Sequence, residues 1–473
     1  MAGFRELLEQ TAGHAADFLE GLPERPVVWS AEADELRASL GGPLPDGPSD
    51  PSSVIEQLSR AADPGLVAIP SGRYFGFVIG GGLPAAVAAD WLTTVWDQNA
   101  GLYVGGPSAA VVEEIAGAWL LELLGLPADV SFGFVTGCQM AHVTALAAAR
   151  HGVLARAGWD VNERGLIGAP RIRVVASEER HVTVDRALRF LGLGTACVDP
   201  VPADGQGRML PEMLHETVRK SDGPTIVCAV AGNVNTGAVD PLEATADIAE
   251  EAGAWLHLDG AFGLWAAASP KLRHLVAGAE RADSWATDMH KWLNVPYDSG
   301  IALCAHPEAH RAAMGVRASY LIHAGEGGPR DQVDWTPEFS RRARGFPVYA
   351  AIRSLGRSGI AELVDRCCAH ARRFGEALAH EPGVELLNDI VLNQVLVRFL
   401  DPAGDHDART SAVVEAVQED GTCWLGGTTW HGMRAMRISV SNWSTTEEDV
   451  DRSVEAILRA AAAREPARSG QGA

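Results

Sequence analysis

The spacing of apolar residues changes character along this chain. Residues 1–25 place Phe4, Leu7, Leu8, Ala15 and Phe18 roughly on one helical face. A Pro/Gly/Ser-rich stretch at 41–53 reads as a linker. From about 110 to 310, helical spacing (111–126 and 141–158) alternates with short apolar runs. These are FGFVTG (132–137), RIRVVAS (171–177), TACVDPV (195–201), TIVCAVAG (225–232), AWLHLDGAFG (254–263) and GIALCAH (300–306). They are β-branched or apolar without regular polar alternation, as expected of strands buried on both faces of a mostly parallel sheet flanked by helices. After about 345 the order becomes helix, strand (VLVRFL, 395–400), helix (411–419), strand (MRISVSN, 436–442) and a last helix over about 446–463. Thr445 or Thr446 followed by Glu447, Glu448 and Asp449 marks the start of that helix. The pattern predicts an α/β protein in three parts: an N-terminal segment (1–64), a large domain (65–344) and a smaller C-terminal α+β domain (345–473).

Composition narrows the classes. A chain of 473 residues, 47% hydrophobic and 21% charged, can bury a sizeable core. Lys+Arg number 39 and Asp+Glu 61, a net charge of −22. Such a surface repels phosphate backbones and anionic bilayers, so neither nucleic acid nor membrane is an expected partner. Seven scattered cysteines without C-x-x-C predict a reduced, cytoplasmic protein. The N-terminus lacks the basic start and apolar core of a signal peptide. His306 and His310 share the spacing of a helical metal pair but lack a third ligand, so no metal is expected.

Four segments carry candidate chemistry. Lys291 follows His290 and precedes Trp292; a lysine in such a low-charge setting can be a buried amine with a lowered pKa, and so a nucleophile. Asp259 ends an apolar run, where open α/β sheets place ligand groups. His181 follows another strand and could stack on an aromatic ring. Thr136, Gly137, Cys138 and Gln139 lead from a strand into a helix, whose free amides can bind an anion. Each has a plainer reading in isolation: a surface lysine, a turn aspartate, a loop histidine, an ordinary strand–helix turn.

In combination these segments resemble the group II amino-acid decarboxylases, which depend on pyridoxal 5'-phosphate (PLP) and include aromatic-amino-acid, glutamate and histidine decarboxylases. The match spans roughly 65–460 and includes Gly232-Asn233-Val234-Asn235-Thr236-Gly237-Ala238-Val239-Asp240-Pro241, similar to the family's G-x-T-x-x-G-A-x-D-P stretch. The resemblance implies the fold-type I architecture and a homodimer with its active site at the interface and the N-terminal segment packed on the partner. It implies that Lys291 holds PLP, that Asp259 binds the pyridinium nitrogen and that the backbone near Ala261 lies beside the ring. His181 would stack on the ring, and His290 would sit beside the reacting amine. Thr136, Gly137, Cys138 and Gln139 would contact the phosphate, mostly through backbone N–H groups. Tyr74, Phe75 and Phe77 match the aromatic segment near the substrate pocket, and Arg437 is a candidate carboxylate anchor.

The implied reaction is decarboxylation of an L-amino acid, with an aromatic substrate as the weaker refinement, through an external aldimine and a quinonoid. Three positions depart from the family. Its phosphate turn commonly reads T-S-G-G-S/T-E-A-N, whereas here residues 135–142 read VTGCQMAH. Asp288 stands where many relatives carry asparagine. Gln332 falls where the family's loop tyrosine is expected. That last departure opens two alternatives on the same scaffold, oxidative decarboxylation–deamination to an aldehyde and carbon–carbon lysis. A non-catalytic PLP-binding scaffold is the alternative from another class.

Overall fold

The computed structural model describes residues 3–220, 222–319, 321–323 and 327–463. The N-terminal segment forms α1 (Phe4–Gly21), α2 (Ala33–Leu40) and α3 (Pro51–Ala62), none of which buries a residue completely. Then come α4 (Pro84–Trp96) and α5 (Pro107–Leu123), each opened by a proline whose missing N–H costs nothing in a first turn. The large domain continues β1 (Ser131–Val135), α6 (Cys138–Arg156), α7 (Val161–Arg164), β2 (Arg173–Ser177), α8 (Val182–Phe190), β3 (Val198–Val201), α9 (Pro211–Val218), β4 (Thr225–Val230), α10 (Leu242–Glu251), β5 (Trp255–Asp259), β6 (Ser284–Asp288), β7 (Gly300–Cys304) and α11 (Pro307–Met314). The remainder is α12 (Gly345–Ala379), β8 (Val384–Leu386), β9 (Gln394–Phe399), α13 (His406–Asp420), β10 (Gly426–Trp430), β11 (Met433–Ser439) and α14 (Glu447–Ala463).

Seven strands form one sheet in the order β1-β7-β6-β5-β4-β2-β3. The pairings among β6, β5, β4, β2 and β3 are parallel. β7 pairs antiparallel with both β1 and β6, so it alone runs backwards and β1 shares the direction of the other five. This polarity positions the site. The C-terminal ends of β1, β2, β5 and β6 lie along one edge, and the segments after them are the four picked out for chemistry. The buried strands β4, β5, β6 and β7 carry no alternation because helices cover both faces.

Two differences from the sequence pattern have physical reasons. β6 lies inside the segment read only for its chemistry; Ser284, Thr287 and Asp288 interrupt the apolar run, yet all five of its residues are buried. The segment around VYAAIRSLG and GIAELVDRCC forms two helical stretches meeting at Gly356, whose φ of 60° only glycine adopts readily.

A four-stranded antiparallel sheet, β10-β11-β9-β8, forms the C-terminal unit with α12, α13 and α14. The N-terminal segment also docks on this unit within the same chain: Val27 N–H donates to Gly421 O at 2.9 Å, and Val27 is fully buried. All seven cysteines are buried and unpaired. Among the described residues no helix is long and apolar enough to cross a membrane.

Candidate active site

Lys291 sits one turn beyond β6, its side chain about one-fifth exposed, with Nζ 3.0 Å from Asp288 Oδ2. The other oxygen, Asp288 Oδ1, accepts the Cys138 N–H at 2.5 Å, at the first residue of α6. His290 Nε2 lies 3.5 Å from the same oxygen. Asp288 is thus an anion seated on a helix N-terminus, where the amide dipoles favour negative charge. Gly137 leaves room for this arrangement. A Cβ there would come 3.0 Å from His290 Cε1 and 3.3 Å from Asp288 Oδ1. Burial alone would favour the neutral amine of Lys291, but Asp288, with smaller help from Cys138 and Asp259, holds its ammonium above the ordinary lysine value. The sequence reading of a lowered lysine pKa is therefore corrected: it counted burial and missed the ion pair.

Asp259, at the end of β5, is almost completely buried. Its Oδ1 accepts the Ala261 N–H at 3.1 Å, and its Oδ2 lies 3.4 Å from His142 Nε2 on α6. Burial pushes the carboxyl up, but His142, His181 and Lys291 outweigh it and hold Asp259 well below the usual carboxylate range. Ala261 is clamped between strand ends, its carbonyl accepting the Asp288 N–H at 3.0 Å.

His181 caps α8: its Nδ1 accepts from Thr183 N–H at 3.4 Å and lies 2.7 Å from Thr183 Oγ1. Gln139 Nε2 donates to Thr183 O at 3.2 Å, tying the α6 turn to this cap. Burial lowers the His181 pKa, with Asp259 opposing and Lys291, His142 and Arg437 adding to the fall, so these groups share one electrostatic neighbourhood. Thr136 occupies the bend between β1 and α6.

Arg437, on β11, enters from the small sheet. Its Nη1 donates to Val234 O at 2.7 Å, and burial lowers its pKa to about 10. The 232–241 stretch is the latch that presents this carbonyl. Asn233 Oδ1 accepts from the Asn235 and Thr236 amides, while the two Asp240 oxygens accept from Met209 N and Val230 N, each at 2.7 Å.

An aromatic shelf lies near Tyr297, the ring beside His290. Tyr74 stacks on Trp424 with centroids 5.2 Å apart, and Phe77 stacks on the same indole at 5.7 Å. Gly76 carries no Cβ because the Trp424 ring occupies that space. Tyr297 covers His290 at 4.4 Å. Burial, then the neighbouring Tyr297, raises Tyr74 to about 12; burial, then Asp288, does the same to Tyr297. The glycine cluster 80–82 braces the lysine loop: Gly80 N–H donates to His290 O at 3.1 Å and Gly81 N–H to Asn294 Oδ1 at 2.7 Å.

Two predicted residues lie apart from this cluster. Phe75 belongs to the core, edge-on to Phe374 at 4.9 Å. Gln332 is buried in a 3-10 turn after the loop, its Nε2 donating to Ala110 O at 3.3 Å. The nearby Arg341–Glu113 ion pair explains its position, because Arg341 also donates to Ala100 O and Phe134 O and draws this segment against β1 and α5. A tyrosine does stand twelve positions earlier, Tyr320, immediately before Leu321; it lies outside the described residues. The sequence reading also missed Trp424, Tyr297 and the pair His142 and His257. Trp424 gave no signal because its partners lie some 350 residues away along the chain.

The site fits PLP. It offers an amine, a buried carboxylate at a strand end, an imidazole in the same electrostatic neighbourhood and a glycine-lined helix N-terminus already holding an anion. Comparison with known proteins agrees. The pyridoxal-dependent decarboxylase conserved domain matches residues 34–400, and the chain belongs to that family, group II of the PLP-dependent amino-acid carboxy-lyases. Its relatives include aromatic-L-amino-acid decarboxylase of Bacillus atrophaeus, 28% identical over 84% of this chain and 82% of the relative. Acidic amino acid decarboxylase GADL1 of Bos taurus is 31% identical over 70% of this chain and 64% of its own length. The crystal structure of Oryza sativa TDC with PLP and tryptamine superposes with a TM-score of 0.91 at 24% identity, covering 98% of both chains, and shows the same fold.

Proposed function

We propose that this enzyme removes the α-carboxylate of an aromatic L-amino acid and releases the amine. The observation that carries the reading is the gathering of Lys291, Asp259 and the α6 N-terminus at one edge of the sheet, beside the Tyr74–Trp424–Phe77 shelf. PLP, when bound, supplies the electron sink into which the electrons of the broken bond pass. Lys291 is the amine that holds it. Asp259 keeps a proton on the ring nitrogen, because a buried carboxylate this strongly stabilised as an anion retains a cationic partner. Gly137 and Gln139 direct backbone N–H groups at the phosphate, with Thr136 and Cys138, whose own N–H donates to Asp288 Oδ1, alongside. His181 packs against the ring, fixed by its bond to Thr183.

Arg437 receives the substrate carboxylate; half-buried, it carries a positive charge that its Val234 bond does not neutralise. His290, between Tyr297 and Asp288, holds a proton next to Lys291. The shelf receives the substrate ring by stacking. Exposed apolar side chains on the N-terminal segment and α4, including Phe4, Leu8, Trp91 and Trp96, support a homodimer, and the buried free thiols support a reducing, cytoplasmic setting.

Product analysis tests the reading. Purified holoenzyme is incubated with each common amino acid, and CO2, amine, aldehyde and peroxide are measured. Equal CO2 and amine from an aromatic substrate is expected; aldehyde with peroxide as the main products would overturn amine release.

A further inference from the structure

Behind Asp259 the fold buries a line of polar side chains that none of the roles above uses. Trp255 Nε1 donates to Ser284 Oγ at 2.9 Å. Ser284 Oγ lies 2.9 Å from His257 Nδ1, His257 Nε2 lies 2.9 Å from His142 Nδ1, and His142 Nε2 lies 3.4 Å from Asp259 Oδ2. Ser284, His257 and His142 are each 0% exposed, and Trp255 is 2% exposed.

Donor counting gives the line a direction. Indole N–H can only donate, so Ser284 Oγ accepts there. The Ser284 hydroxyl hydrogen then has one acceptor among its bonded partners, His257 Nδ1. A neutral His257 protonated at Nε2 donates to His142 Nδ1. His142 is in turn protonated at Nε2 and donates to Asp259, with Cys138 Sγ at 3.5 Å as a second, weaker partner. The reverse order would leave a buried hydroxyl hydrogen without an acceptor, which costs more than the bond itself is worth.

We infer that His142 and His257 are positioning residues: a one-directional relay from Trp255 and Ser284 that aims an N–H at Asp259 and thereby sets how tightly the enzyme holds its cofactor. The relay acts through the carboxylate alone, and the inference rests on the reading that Asp259 faces the cofactor's ring nitrogen. Metal ligation is the competing use of Cys138, His142 and Asp259, whose ligand atoms lie within 4.8 Å of one another. The relay argues against it because it leaves His142 Nε2 protonated, whereas a ligand nitrogen must be bare.

Two measurements test the relay. Nitrogen-15 imidazole spectra of the apoprotein are expected to show His142 and His257 as neutral rings protonated at Nε2; a ring protonated at Nδ1 would overturn the relay. Titration of apoprotein with PLP, followed by visible absorbance, is expected to give about tenfold weaker binding for His142→Phe, which keeps the ring volume. Ser284→Ala, two residues removed from the carboxylate, is expected to weaken binding about threefold, and Ser284→Thr to restore it. Unchanged affinity in folded His142→Phe would overturn the relay, as would zinc binding to the apoprotein that His142→Phe abolishes. Should His142→Phe fail to fold, the tautomer spectra and the Ser284 pair decide. Failure of the wild-type apoprotein to bind PLP would instead sink the reading of the site itself.

Discussion

Behind the end of β5, five side chains from Trp255 to Asp259 are buried and each lies within bonding reach of the next. Around Trp424 three rings stack, and Phe77 is 59% exposed. The first region is held by directional bonds in a dry interior, where a lost partner leaves a desolvated group unsatisfied. The second is held by apolar contact, which weakens gradually as area is lost. On the proposed reading the cofactor end is thus built for one geometry, whereas the substrate end tolerates a range of shapes.

That contrast can be broken at its strongest point by Asp259→Asn. The amide has nearly the same shape but no charge to hold a ring proton, so kcat is expected to fall about 100-fold with KM little changed. A fall below tenfold would show that the carboxylate charge is not used.

Acid should attack the buried polar interior next. Burial lowers His257 to about 3, with His142 adding to the fall and Asp259 opposing it; burial also lowers His310, bonded to Ser131 Oγ and Trp335 O, to about 3. Both rings are neutral in the folded state and titrate near 6.5 when unfolded. Their contribution is therefore complete above that value and is lost as pH falls toward 3, on the order of 2 kcal/mol each by about pH 5. Urea unfolding at pH 7 and pH 5 reads the difference; equal midpoints would contradict it.

At the substrate end, Trp424→Leu is expected to raise KM for an aromatic substrate about tenfold while kcat stays within about twofold. A kcat effect larger than the KM effect would mean that the indole orients the reacting bond. The smallest change concerns Asp288, whose carboxylate occupies the α6 N-terminus proposed to receive the phosphate. Asp288→Asn removes that repulsion and is expected to tighten PLP binding about threefold in an apoenzyme titration. Weaker binding would show that the Lys291–Asp288 pair pre-orients the amine.

Much of the fold was legible because it is local. Strand runs such as TIVCAV declare burial on both faces, and helices declare their periodicity. The four segments expected to carry chemistry do lie at one sheet edge, since strand ends followed by turns are recognisable in sequence. β6 was hidden because Ser284, Thr287 and Asp288 look polar, yet their side chains bond buried partners. Phe75 was assigned to the pocket because it neighbours Tyr74 and Phe77; alternation of side-chain direction sends it to the core.

The sequence by itself determined the family, the cofactor class and the layering of helices on a mostly parallel sheet, and it pointed to Lys291 and Asp259 as the centre of the proposed site. Each depends on residue type at short spacing. The tertiary structure alone decided the Lys291–Asp288 ion pair, the burial of Gln332, the pairing of Trp424 with Tyr74 and the line from Trp255 to Asp259. Those depend on what meets across distant segments, where the low dielectric of the interior and the count of donors and acceptors, rather than chain order, select the outcome.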